Sequence, residues 1–245
     1  MFAWTDRSFL AGVLAVALTV SAAPAARSVA ETERKSIAES KRIREASRVL
    51  ESLVGTPDSS IPKYVLERAE AIVVIPRLVK GGLVVGAEHG AGVMSIREGG
   101  SWSLPSFVKM TGGSIGWQIG AEAVDLVLVV LNRDGVDELL RNESTLGAQA
   151  GIAAGPVGRS AEASTDALMS AKILTYSRAK GLFVGATFEG ASLRDDVDAN
   201  QTFYGKRLSA RQLFERKPAT VTAPPEASAW RTLLTTVVPE KGSGS

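Results

Sequence analysis

Apolar side chains recur at intervals of three and four residues between Glu31 and Val54, which predicts an amphipathic helix. Its apolar face consists of Ile43, Ala46, Leu50, Leu53 and Val54. Basic side chains recur every seven residues and therefore form a nearly straight stripe away from that face. The stripe consists of Arg34, Lys41 and Arg48, and Lys35 and Arg42 flank the apolar side. Gly55 followed by Pro57 ends the helix, as is usual at a helix C-terminus.

Beyond Ala71 the pattern changes to short apolar runs with turn residues between many of them, which predicts an antiparallel sheet or barrel. These runs are 72–75, 83–85, 93–96, 106–110, 114–119 and 126–131. Glycine pairs stand at 81–82, 99–100 and 112–113. We also expect a strand near 148–154, a hairpin across Ala179-Lys180-Gly181, and short helices from Pro62, over 134–141 and over 208–217. The predicted fold class is α+β, with a Gly-rich antiparallel sheet or partly closed barrel flanked by a few helices.

The N-terminal segment resembles an export signal. Arg7 precedes an uncharged run, Ser8 to Ala23, which is shorter than the roughly 20 apolar residues of a membrane span. Small residues then predict cleavage after Ala25 or Ala30. The predicted organisation is a signal peptide over 1–30, one domain over 31–215, and a Pro/Ala/Thr linker with a C-terminal tail over 216–245. We expect a soluble periplasmic or secreted protein that is peripheral on a membrane.

Composition argues against several classes of function. The chain has 28 basic and 26 acidic residues, a net charge of +2, whereas a nucleic-acid binder normally has a clear basic excess. It has no Cys and a single His, so thiolate chemistry, disulfides, a Cys lipid anchor and His-rich metal sites are not expected. The phosphate-loop pattern is absent. No cofactor is predicted.

Candidate catalytic residues do not form a set. Ser114 lies in a G-x-S-x-G pattern, but His89 precedes it and the residues after it are strand-like, so a turn explains the match better. We interpret His89 as a turn or surface residue, and Asp125 as an acceptor of backbone hydrogen bonds at a strand start rather than a catalytic acid. Asp195, Asp196, Asp198 and Asn200 resemble an acidic loop without the calcium-loop pattern. The protein is therefore predicted not to be an enzyme.

Two basic features are compatible with binding. The stripe on the first helix suits contact with anionic lipid, and the alternative is a solvated helix face that packs on its own domain by the other side. Arg77 and Lys80, beside Gly81-Gly82, form a basic loop that either reaches phosphate or is ordinary surface.

An ordered series of short motifs adds a more specific signal. It comprises Ile75-Pro76, Lys80-Gly81-Gly82, Gly86, Trp102-Ser103-Leu104-Pro105, 112–120, Asp125, 155–159, 176–185 and Tyr204-Gly205. In this order and spacing the chain resembles the SYLF domain family over about residues 35–215.

The resemblance implies a lipid-binding module, which in eukaryotic relatives is tied to phosphoinositides, the actin cortex and endocytosis. It also implies that an N-terminal amphipathic basic helix contacts the membrane, and Glu31 to Val54 occupies that place here. Five glutamates dilute the basic face, no SH3 or FYVE segment accompanies the domain, and a signal peptide precedes it. We therefore expect the exported bacterial branch, with anionic phospholipid or another envelope amphiphile as ligand. The alternative is an envelope interaction or stress-related protein that binds a protein partner.

Overall fold

The computed structural model describes residues 24–54, 61–82, 85–115, 120–141, 144–145, 151–158, 170–179, 182–186, 190–215 and 221–238. The helices in this part of the chain are α1 (Pro24–Glu51), α2 (Lys63–Glu67), α3 (Arg133–Leu139), α4 (Val197–Tyr204), α5 (Ala210–Phe214) and α6 (Pro225–Val237). Its strands are β1 (Ala71–Gly82), β2 (Val85–Glu98), β3 (Ser101–Trp102), β4 (Ser106–Ile115), β5 (Gly120–Val130), β6 (Ser144–Thr145), β7 (Ile152–Ala154), β8 (Ile173–Ala179), β9 (Leu182–Gly185) and β10 (Ser192–Asp195).

The strands form one sheet in the order β6-β10-β4-β2-β1-β5-β8-β7, and β3 and β9 pair with β2 and β8. The sheet curls into a half-barrel flanked by the helices, which confirms the predicted α+β class. Every pair is antiparallel except β7 with β8. The connection between these two strands is 18 residues long, 155–172. A connection of this length allows two strands to pair in parallel, whereas a two-residue hairpin joins only antiparallel strands.

The central strands are longer than their sequence pattern predicts. Val85, the last residue of one predicted run, and the run at 93–96 lie in one strand, β2. The run at 106–110 and residues 114–115 likewise lie in one strand, β4, whereas 83–84 and 116–119 are outside the described residues. Glycine in these strands marks close packing instead of turns. A Cβ atom on Gly92 would lie 2.0 Å from the carbonyl oxygen of Val74 on β1. The prediction that glycine pairs separate the strands is therefore wrong at Gly112-Gly113, which lies inside β4.

Strand β1 continues through Pro76 by way of a β-bulge. Ile75 pairs with Leu126 and Leu78 with Val124, so Pro76 and Arg77 together stand opposite the single residue Asp125. The backbone of Arg77 is left-handed, with φ of 54°. Its N–H donates to Oδ1 of Asp125 over 3.0 Å. Residues 77–80 are consequently part of a strand and not the predicted basic loop.

The C-terminal helix α6, which lies within the segment 216–245 that was predicted as a linker and tail, packs on the sheet. Trp230 and Leu234 are fully buried, and Nε1 of Trp230 donates to Oγ of Ser95 on β2 over 2.9 Å. Apolar residues spaced along a helix bury their stripe whenever a complementary surface is available.

Among the described residues, no helix is both long and apolar enough to span a bilayer.

Candidate functional site

Helix α1 is held to the domain by one face. Ile43, Ala46 and Leu50 are at most 1% exposed and belong to the main hydrophobic core. The helix packs against β1, β2, α4 and α6. The predicted apolar face is confirmed at Ile43, Ala46, Leu50 and Leu53, which pack into the protein's own core, whereas the side chain of Val54 lies outside the described residues.

The basic stripe lies on the outer side of this anchored helix. Arg34, Lys41 and Arg48 are all exposed. Nζ of Lys41 is 3.8 Å from a carboxylate oxygen of Glu45, whereas Arg34 and Arg48 form no ion pair with a described residue. Lys35 is also exposed and pairs with Glu31 over 2.8 Å. Exposed ion pairs of this kind contribute little to stability and leave their charges accessible to a ligand.

Arg42 is placed differently from the other predicted lipid-binding residues. Its guanidinium is 18% exposed, lies 5.3 Å from the ring centroid of Phe107 and donates to Oδ2 of Asp196 over 3.0 Å. A second carboxylate, that of Glu39, lies 3.1 Å from it. Because position 42 is on the border of the apolar face, its side chain turns into the protein. Arg42 therefore fastens α1 to the start of α4.

Asp196 is the centre of this fastening. It is 3% exposed, accepts the N–H of Ala199 as the N-cap of α4, and also lies 2.9 Å from Nζ of Lys109. Burial alone would raise its pKa, but hydrogen bonds from Lys109, Arg42 and Ala199 outweigh burial and hold the pKa below its ordinary value. For Glu39 burial dominates and raises the pKa, although Arg42 opposes it.

Arg77 joins the stripe through the bulge of β1. Its side chain is 72% exposed, and a guanidinium nitrogen is 3.7 Å from the same Glu45 oxygen that Lys41 approaches. Lys41 and Arg77 therefore share one carboxylate. The backbone of Lys80 pairs with Glu88 and Glu122, while its side chain lies outside the described part of the structure.

The residues considered for catalysis do not converge. His89 is an exposed residue in the middle of β2, not in a turn, and pairs with Thr111 of β4. Ser114 is three residues further along β4, which is about 10 Å of strand. Asp125 accepts the Arg77 N–H and pairs with Arg178 over 3.2 Å. The favoured interpretation of Asp125 is right in kind, but the backbone donor belongs to a bulge and not to a strand start.

The predicted acidic loop is the junction of β10 and α4. Asp195 accepts the N–H of Ala210 over 2.9 Å, and Asp198 pairs with Arg207 over 2.7 Å. Asn200 is fully buried, and its side-chain amide binds the backbone of Phe107 and Leu208. Within the described ranges, no group of three His, Cys, Asp or Glu side chains is arranged to hold a metal ion.

Helix α4, the role of Asp196 and the burial of Asn200 were not predicted from the sequence. A signal was available, because Asp196 precedes Val197 and Phe203-Tyr204 at helical spacing, and Asp is a favoured N-cap residue. Three aspartates within four residues obscured that pattern.

The chain is similar to known proteins. Residues 111–237, just over half of the chain, match the profile of a family described as Ysc84, a Las17-binding protein and actin regulator. The chain is 33% identical to Protein YSC84 of Saccharomyces cerevisiae over 193 residues, which are 75% of this chain and 40% of that protein. It is 35% identical over 173 residues to the yeast LAS seventeen-binding protein 3, covering 69% of this chain and 38% of that protein.

A human relative, SH3 domain-containing YSC84-like protein 1, is 34% identical over 161 residues, covering 64% of this chain and 46% of that protein. The chain thus spans less than half the length of these curated relatives. The match to the family profile and the identities to its members lead to one conclusion. This chain belongs to the Ysc84 (SYLF) domain family.

Proposed function

We propose that this chain is a non-enzymatic, exported protein that binds anionic lipid of the cell envelope through the outer stripe of α1. The observation that carries the proposal is the arrangement of Arg34, Lys41 and Arg48, which are exposed along a helix that is fixed by its opposite face. A rigidly mounted row of cations can meet a planar anionic surface without first ordering a flexible segment.

The charge balance near the middle of α1 favours an anionic ligand. Lys41 and Arg77 both approach a single carboxylate, that of Glu45, and Arg48 is the next cation along the stripe. Each basic residue near an anionic membrane contributes roughly 1 kcal/mol to binding, and salt screens this contribution. Binding should therefore require anionic lipid and weaken as the salt concentration rises.

A vesicle assay tests this proposal. The variant combines Arg34→Glu, Lys41→Glu and Arg48→Glu, and the probe is vesicles of phosphatidylglycerol and phosphatidylcholine in equal amounts. We expect binding by flotation to fall by at least about a hundredfold, since three contributions of roughly 1 kcal/mol are lost. Vesicles of phosphatidylcholine alone should bind weakly before and after the change.

A matched control separates this site from the effect of net charge. Lys63→Glu, Arg68→Glu and Arg194→Glu change the net charge equally at exposed positions outside α1. This control should retain most of the binding. Equal losses in the two triple variants, or indifference of the wild-type protein to salt, would exclude α1 as the lipid contact.

The second candidate function is binding of a protein partner. It is supported by the description of the family and by the name of LAS seventeen-binding protein 3. A protein that fails to float with anionic vesicles but forms a stoichiometric complex with a purified envelope protein would favour it.

A further inference from the structure

A row of four exposed residues crosses the sheet beside α1. Thr111, His89, Val79 and Ala123 stand directly opposite one another on β4, β2, β1 and β5. All four are exposed. Val79 is 49% exposed, and few other large apolar side chains among the described residues are exposed to this extent. On the next row Gly113 and Ala87 are also paired and exposed. We name these six residues the sheet platform.

The sheet platform lies on the face of the sheet that α1 covers. Phe107 and Thr111 are four residues apart on β4 and therefore share a face. Arg42 of α1 lies over the ring of Phe107. Helix α1 thus covers one part of this face and leaves the sheet platform open next to it.

The chemical character of the sheet platform is unusual for a solvated sheet. The open face of an antiparallel sheet normally carries polar residues, often charged, that alternate with buried ones. None of the six residues here is Asp, Glu, Lys or Arg. Small residues in strands are also found where another molecule approaches the backbone closely. These properties indicate a surface that is covered in use.

The border of the sheet platform selects an anionic occupant. Arg77 precedes Val79 by two residues on β1, and its guanidinium approaches Glu45 of α1, whose neighbours along the stripe are Lys41 and Arg48. Lys41 and Arg77 against the one carboxylate of Glu45 leave this contact with a net charge of +1, and Arg48 is a further cation along the stripe. A second copy of the chain, with the same basic border, would be repelled. A planar anionic surface is attracted instead.

We propose that the sheet platform is a second lipid-contacting surface, so that the domain sits on an anionic bilayer by the outer edge of α1 together with the six residues of the sheet platform on β1, β2, β4 and β5. This inference rests on the proposed function, because it concerns the same bilayer. The stripe supplies long-range attraction. The sheet platform contacts the headgroup layer without having to desolvate a charge.

Site-directed fluorescence tests the orientation directly. The chain contains no Cys, so Val79→Cys, Ala123→Cys and Thr236→Cys each introduce a single labelling site for a polarity-sensitive NBD dye. The probe is again vesicles of phosphatidylglycerol and phosphatidylcholine in equal amounts. We expect a blue shift and increased emission at 79 and 123. The dye at 236, an exposed position on α6, should not respond.

A substitution provides an independent readout. Val79→Glu places a negative charge at the centre of the sheet platform and should weaken vesicle binding by about fivefold, whereas Thr236→Glu should not. Circular dichroism and urea unfolding must first show that Val79→Glu is folded. If it is not, the fluorescence result alone decides.

The two proposals fail in different ways. Vesicles that float the labelled proteins without any change in emission at 79 and 123 overturn the sheet platform and leave the role of α1 intact. Emission changes at 79 and 123 that also occur at 236 indicate unspecific adsorption and overturn it as well. Absence of flotation overturns both proposals. If the emission at 79 and 123 changes on addition of an acidic protein and not of vesicles, the sheet platform binds a protein partner and the lipid proposal for it is overturned.

Discussion

At the scale of single residues, Asn200 shows how much one buried polar side chain organises. Its amide oxygen accepts the N–H of Phe107 over 2.9 Å, and its amide nitrogen donates to Oγ of Ser106 and to the carbonyl of Leu208. These bonds join α4 to the start of β4 and to the segment before α5. The side chain has no contact with solvent.

We therefore expect Asn200→Ala to lower the free energy of unfolding by about 2–4 kcal/mol, because it leaves buried backbone groups without partners. Gln201→Ala, at the next and exposed position, should change it by no more than about 0.5 kcal/mol. Urea unfolding followed by circular dichroism measures both. Equal effects of the two substitutions would show that these residues of α4 contribute to stability only through their helix propensity and not through the hydrogen bonds of Asn200.

The fastening at Asp196 predicts a dependence of stability on acid. The pKa of Asp196 is held below its ordinary value of 3.8 in the folded protein, so its stabilising contribution is complete above that value and is lost as the pH falls through the folded pKa. Asp196→Asn should destabilise the protein by about 2 kcal/mol or more at pH 7. It should also reduce the loss of stability below about pH 4. A pH series of urea midpoints in which wild type and variant run parallel would contradict this role.

At the scale of elements, helix α1 has two parts that differ in burial. Its later turns are buried against the sheet, whereas residues 30–35 are all exposed. The helix begins at Pro24 and passes both predicted cleavage sites, after Ala25 and after Ala30.

Cleavage after Ala30 would start the helix at Glu31-Thr32-Glu33, and acidic side chains in a first turn interact favourably with the helix dipole. We expect intact-mass analysis of periplasmic protein to find a chain that begins at Glu31 or at Ala26. Retention of Met1 in that fraction would contradict export with cleavage.

The sequence predicts elements better than their ends. The apolar face of α1 follows from spacing alone, and the hairpin of β8 and β9 follows from its turn residues. The length of β2 does not follow from the sequence. Gly90 and Gly92 indicate a turn when only their neighbours in the chain are considered, and they are explained by the close approach of β1. Within the site, Arg34, Lys41 and Arg48 are exposed as predicted, but Arg42 turns inward because of Asp196, which is 154 residues away. No local pattern contains that contact.

At the scale of the whole molecule, α6 completes the core. It lies beside α1, and Arg44 pairs with Glu226 at its start over 3.0 Å. The indole of Trp230 is fully buried and bonded to Ser95. A domain that stopped at residue 215 would expose this part of the sheet.

Trp230→Ala should accordingly lower the free energy of unfolding by about 3–5 kcal/mol, through lost burial and a cavity. Thr236→Ala, exposed on the same helix, is the matched control and should have little effect. Thermal unfolding and limited proteolysis provide the measurements. A small effect of Trp230→Ala would mean that α6 is an accessory to the domain and not part of its core.

The bulge at Pro76 and Arg77 has a consequence for the changes of length that strand β1 can accept. It acts as a phase shift within one strand: Leu78 pairs with Val124 and points inward, and Val79 points outward, the reverse of what an unbroken alternation from Ile75 would produce. Leu78, directly beyond the bulge, is fully buried like residues 71–75, so the extra residue keeps the core face of β1 continuous. Loss of either Pro76 or Arg77 would leave one residue opposite Asp125, so that Leu78 would still pair with Val124 and point inward. A single-codon deletion at the bulge would therefore remove the irregularity of β1 without exchanging the inner and outer faces of the strand.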